Sequence, residues 1–234
     1  MISYLFQYPF PLNAVLFLAA VLSALWAICF HEWAHGFAAV KNGDLTPKLY
    51  GRLSLNPVRH LDPIGAVMFV CVGFGYAKPV PVNPYNFTHY KRGLLWVSFA
   101  GVLANLAMVI ISVPLYIVCL EILLPYLLAM GEIWGWVGMF FVTLFDTTGW
   151  MNACLFVFNL IPIYPLDGYR MVETLSKNPN NRFLSFVNRN GRVLLIAFLL
   201  INVATGYFFD WTIISQLAYF VQLPFDLFWT WILV

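Results

Sequence analysis

The sequence predicts an all-α polytopic membrane protein, with about four transmembrane helices plus a re-entrant or short β-hairpin segment. Three observations carry this. First, 62% of the 234 residues are hydrophobic and only 9% are charged, against roughly 45–50% and about 25% in a soluble domain. Second, long apolar runs alternate with short polar loops. Third, all 12 Lys and Arg residues fall in three windows. The composition also excludes disorder. A net charge of +2 supplies no basic footprint for nucleic acid. The chain reads as a single domain, 1–234.

The windows set the expected orientation. They hold Lys41, Lys48, Arg52 and Arg59, then Lys78, Lys91 and Arg92, then Arg170, Lys177, Arg182, Arg189 and Arg192. Short basic loops stay on the cytoplasmic side, so all three windows belong there. The run from Leu12 to Val40 is long enough to cross, and Lys41-Asn42-Gly43 closes it with a cation and a glycine cap. Ile64 to Ala77 is too short to span and contains Gly65, Gly73 and Gly75. It reads as a re-entrant segment. The alternation in Leu49–Asn56 and the glycine-rich Cys71–Tyr76 read as short strands. Gly93 to about Leu128 crosses outward, and Glu121, Gly131 and Glu132 mark the outer turn. Ile133 to about Ile163 returns, and Val193 to Phe209 crosses again. The tail Trp211–Val234 has no basic residue and contains Pro224, so it is either interfacial or another crossing. Met1-Ile2-Ser3-Tyr4 lacks the basic start of a cleaved signal peptide.

Inside the first run lies His31-Glu32-Trp33-Ala34-His35. Residues i and i+4 share a helix face. Two imidazoles at that spacing can grip one zinc, with the Glu beside the water that the metal activates. His35 precedes Lys41 by about 9 Å of helix, so the motif sits just below the cytoplasmic surface. Ionisable groups at that depth are expensive and point to function. The bland alternative is a set of polar residues bonded to neighbouring helices.

A catalytic zinc takes a third protein ligand. Four carboxylates are available. Asp44 follows the glycine cap and is expected in water. Asp62 suits a turn or an N-cap. Asp146, beside Thr147, Thr148 and Gly149, suggests a polar break in the return crossing. Asp167 follows Pro162 and Pro165, which unwind the helix, and Gly168 permits a tight turn. Its depth matches that of His31 and His35.

Together these segments resemble the site-2 protease family of intramembrane zinc metalloproteases. Members carry His-Glu-x-x-His on one transmembrane helix and Asn-x-x-Pro-x-Pro-x-Leu-Asp-Gly on a later one. The matching residues are His31, Glu32 and His35, then Asn159, Pro162, Leu166, Asp167 and Gly168. Tyr164 replaces the second proline, with Pro165 adjacent. Gly101-Val-Leu-Ala-Asn105 resembles the family's Gly-x-x-x-Asn, with Val102 where a proline is common. The stretches 51–57 and 75–81 also resemble compact members. The resemblance covers about 12–200 as catalytic core, leaves 201–234 as a membrane-associated tail, and leaves no room for a PDZ domain.

The resemblance implies one zinc held by His31, His35 and Asp167, with Glu32 as the catalytic base. It implies hydrolysis of a peptide bond within or near a transmembrane segment of a membrane-protein substrate, as in regulated intramembrane proteolysis. Asn159 would bind substrate or cap the broken helix, Asn105 would bind substrate or glue helices together, and the 49–56 and 71–76 segments would offer a strand edge for β-augmentation or only plug space. The expected partners are that substrate and the lipid bilayer; a homo-oligomer stays open. The expected location is a prokaryotic plasma membrane, with the site near the cytoplasmic side. The competing reading is a membrane transporter of metal or solute lined by the His and Asp residues, in which Glu32 has no special task. Cys29, Cys71, Cys119 and Cys154 read as isolated apolar thiols. His60 reads as a loop residue or a support for a ligand, and His89 as interfacial.

Overall fold

The structure is a computed structural model describing residues 6, 8–72, 75, 77–178 and 181–233. Helix α1, Leu12–Lys41, ends where Asn42 and Gly43 (φ 106°) turn the chain. Helix α2, Thr46–Leu49, follows, with Pro47 in its first turn. A 3-10 turn at Pro57–Arg59 and helix α3, Pro63–Val72, come next. Helix α4, Tyr90–Val118, continues through a π turn at Cys119–Leu123 into α5, Leu124–Ala129. Gly131, at φ 121°, reverses the chain into α6, Glu132–Leu160. After the two prolines come α7, Asp167–Leu175, then α8, Arg182–Phe209, and α9, Ile213–Leu233. Among the described residues, four helical stretches are long and apolar enough to cross a membrane: α1, α4 with α5, α6 and α8. The chain is an integral membrane protein.

The bundle is built on small residues. The buried face of α1 is Ala19, Ala20, Ser23, Ala24 and Ala27, then Ala34, Gly36 and Ala39. Small faces let helices approach closely where lipid is as apolar as leucine. Helices α1, α4 and α6 pack on one another, and α9 joins α4 and α6. The α9 contact centres on Ala218 against Val109, Val113, Ile117 and Ala153. The tail whose placement the sequence left open is therefore a bundle helix through residue 233.

Three expectations change. Among the described residues there is no strand where 49–56 and 71–76 suggested a hairpin. Leu49 ends α2, Cys71 and Val72 belong to α3, and the one pairing among the described residues is an isolated Leu61–Ala77 bridge. Pro47 and Pro57 favour turns and helix starts, and Pro79 and Pro81 remove ladder donors. Positions 73, 74 and 76 lie outside the described residues.

Asp146 marks no break either: α6 runs straight through it. The neighbouring Thr148 hydroxyl lies 2.6 Å from Leu144 O and 3.0 Å from Ser23 Oγ on α1, and Ser23 Oγ lies 3.1 Å from Leu144 O, so the two hydroxyl protons are shared within this triangle. The polar patch is a clasp between helices.

Nor does Asp44 sit in water; it is fully buried. Its oxygens accept from the Thr46 N–H and hydroxyl, from the Asn83 N–H at 2.7 Å and from the Asn86 amide at 2.8 Å. Burial pushes this carboxyl up, but those donors outweigh it and hold it below its ordinary value. Asp62 caps α3, accepting from Ile64 and Gly65 N–H, both at 3.0 Å.

Candidate metal centre

His31 and His35 stand one helical turn apart on α1. Asp167 reaches them from the first residue of α7. His31 Nε2 lies 3.4 Å and His35 Nε2 3.1 Å from Asp167 Oδ2, and the two Nε2 atoms are 3.0 Å apart. Donor atoms around a tetrahedral ion with bonds of about 2.0–2.2 Å sit roughly 3.3–3.6 Å from one another. The triangle therefore has nearly the size of one face of such a site. The side chains are 12%, 12% and 15% exposed, which leaves the cluster shielded but reachable.

The tautomers also suit a cation. His35 Nδ1 lies 2.7 Å from Val97 O, and a carbonyl can only accept. The proton therefore sits on Nδ1, and the Nε2 lone pair faces the cluster. Asp167 Oδ2 and His31 Nδ1 are buried without a hydrogen bond among the described residues. Lone pairs converging on one point repel unless a cation joins them.

Two glycines make the approach possible. A Cβ on Gly101 of α4 would lie 2.5 Å from His35 Nε2 and 2.6 Å from His31 Cε1. A Cβ on Gly168 would collide with the carbonyl of Leu160 at the end of α6. Gly168 has no positive φ. It is needed for close approach, not for the special backbone angles its place in a tight turn suggested.

Glu32 points to a different partner. Its Oε2 accepts the Val80 N–H at 2.9 Å. Residues 78–83 run extended along α1: Lys78 N–H bonds His60 O at 2.8 Å, and Asn83 N–H bonds Asp44. Pro79 and Pro81 have no N–H, so Val80 carries the sole donor of that triplet and gives it to Glu32.

No family model matches the chain. Among curated proteins, it is 35% identical over 171 residues to "Putative zinc metalloprotease YwhC" of Bacillus subtilis, covering 71% of this chain and 72% of the relative. It is 29% identical over 203 residues to "Putative zinc metalloprotease Rip2" of Mycobacterium tuberculosis H37Rv, covering 84% and 72%. The Mycolicibacterium smegmatis Rip2 is 27% identical over 214 residues. The chain belongs to the site-2 protease family. No solved structure matches it.

In this site-2 protease family member the metal-type cluster brings together His31, His35 and Asp167, with Glu32 on the same turn of α1. The two asparagines are arranged differently. Asn159 donates back to Leu155 O at 3.1 Å on its own helix. Asn105 lies one turn past Gly101, fully buried, with neither amide atom hydrogen-bonded among the described residues. His60 is also buried; its Nε2 lies 2.6 Å from Ser54 O and braces the 54–60 loop. The sequence did not point to the Val97 carbonyl or the Val80 N–H. Backbone groups leave no side-chain motif, and the one trace of the second was the Lys78-Pro79-Val80-Pro81 run.

Proposed function

We propose that this chain is an intramembrane zinc metalloprotease that cleaves a peptide bond within or near a transmembrane segment of a membrane-protein substrate. The observation that carries it is the convergence of His31, His35 and Asp167 on one point beside Glu32. The names of the curated relatives support zinc as the metal and proteolysis as the reaction.

Bound by the three ligands, zinc supplies Lewis acidity that acidifies water and polarises a scissile carbonyl. Glu32 takes the proton of the attacking water and returns it to the leaving amine. The Val80 N–H ties down one Glu32 oxygen and leaves the other for proton transfer. A helical substrate hides its carbonyls, so it must unwind before attack. Asn159, by giving up its bond to Leu155, can pair with that extended backbone, and the unpaired amide of Asn105 adds a second polar contact. The basic ends of α1 and α4 support a site near the cytoplasmic face of a prokaryotic plasma membrane, in the manner of regulated intramembrane proteolysis.

The test is cleavage of a reconstituted transmembrane substrate together with zinc content. Glu32→Gln should keep about one zinc per chain and lose cleavage by at least about 100-fold. Asp167→Ala should lose both. Undiminished cleavage by Glu32→Gln would remove the general base, and metal flux without any cleavage would replace the protease with a transporter.

A further inference from the structure

A groove of about 780 Å³ runs along the outer side of the α1–α4 pair. Alanines from both helices form its floor. Trp33 and Phe37 stack as one wall, their centroids 5.1 Å apart, and Trp96 and Leu103 line the other. At one end the apolar lining gives way to Lys41, His89 and Arg92, all exposed. Among the described residues neither Lys41 nor Arg92 pairs with a carboxylate. Lys41 Nζ lies 5.5 Å from the centre of the Phe37 ring, so its stem covers the wall while its charge stays at the rim.

We propose that this groove binds one anionic phospholipid, with its headgroup against Lys41 and Arg92 and an acyl chain along Trp33, Phe37 and Trp96. Depth and charge select this occupant. From Arg92 to Leu103, α4 descends about 16 Å, and from Lys41 to Trp33, α1 covers about 12 Å. Half of a hydrocarbon core is about 15 Å, the depth of one leaflet. A partner helix crossing the bilayer needs a groove of full depth. Unpaired Lys and Arg at headgroup level attract anionic lipid, and indole rings favour the same interface. The groove adjoins the cluster along the chain: Trp33 and Ala34 lie between His31 and His35, and Trp96 precedes the Val97 whose carbonyl orients His35.

Bromine on an acyl chain quenches the indole it touches, so the test needs no protease assay. The purified full chain is reconstituted in phosphatidylcholine vesicles carrying equal mole fractions of brominated phosphatidylglycerol or brominated phosphatidylcholine. The glycerol lipid should quench more. Its apparent affinity should fall about fivefold for each cation removed in Lys41→Gln and Arg92→Gln. The excess quenching should vanish in Trp33→Phe/Trp96→Phe, which retains the cations and the groove. Unchanged elution on size exclusion verifies that the variants are folded. Equal quenching by the two lipids overturns the proposal. So does an excess that survives in either the double cation variant or the double indole variant, because the lipid then sits elsewhere.

Discussion

Helices α6 and α8 are nearly equal in length, and α8 holds the more apolar central stretch, yet 39% of the most apolar stretch of α6 is buried in the bundle and only 6% of that of α8. Apolarity places a segment in the bilayer, but it does not decide what the segment packs against. Beside Val142, Leu144 and Val157, helix α6 buries Gly135, Gly138, Thr148, Gly149, Asn152 and Ala153, small or polar groups that fit closely or bond across. The second half of α8 turns Ile196, Leu200, Ile201 and Val203 outward, side chains equally content in lipid. The first half of α8 is anchored by Leu184 and Val187 against Tyr169 of α7. Asn202 adds one bond further along, accepting the Ile214 N–H of α9 at 3.0 Å.

If small residues build the core, the largest effect belongs where the tolerance is least. Gly101→Val should cut proteolysis by at least about 100-fold, because it displaces the imidazoles by an ångström or more. Zinc content should fall with it, as read by metal analysis. A variant with full zinc and activity would break the link between close packing and the site.

Next comes Asp44→Ala. Loss of charge-assisted bonds to a buried carboxylate should cost about 2 kcal/mol, seen as a lower melting temperature. The sign with pH follows from the carboxyl being held below its ordinary value. Its contribution is complete above the unfolded value, about 3.9, and is lost as pH falls through the lower folded value. The gap between wild type and variant should therefore be full at pH 7 and close only below about pH 4.

Smaller again is the helix clasp. A double-mutant cycle on Ser23→Ala and Thr148→Val should return a coupling of about 0.6 kcal/mol in unfolding from mixed micelles. Zero coupling would mean that packing alone holds α1 to α6. Smallest of all, Leu200→Ala on α8 should change stability by no more than about 0.5 kcal/mol. A cost of several kcal/mol there would reveal a partner covering α8 and erase the contrast between the two helices.

The same contrast explains what was legible beforehand. The four spans follow from hydropathy, since each is a physical preference of its own residues. The His31, His35 and Asp167 cluster was legible because ionisable groups are scarce in this chain and their depth could be counted from Lys41. The hairpin was misread because alternation over 49–56 competes with Pro47 and Pro57, which favour helix and turn starts. Asp44 was misplaced because its burial depends on Asn83 and Asn86, some forty residues away, which local reading cannot supply. The break expected at Asp146 failed for a similar reason: Ser23, far along the chain, satisfies Thr148 without unwinding α6.

The three members of the cluster come from places more than half the chain apart, at α1 and at the turn into α7. A cation held there acts as a cross-link between the first helix and the segment beyond the third span. Folding and metal affinity are then linked by mass action. At free metal about 1,000-fold above its dissociation constant, the folded state gains about 4 kcal/mol. If a metal is held there, the unfolding midpoint of the protein should gauge its occupancy, and a chelator should lower that midpoint with no substrate present.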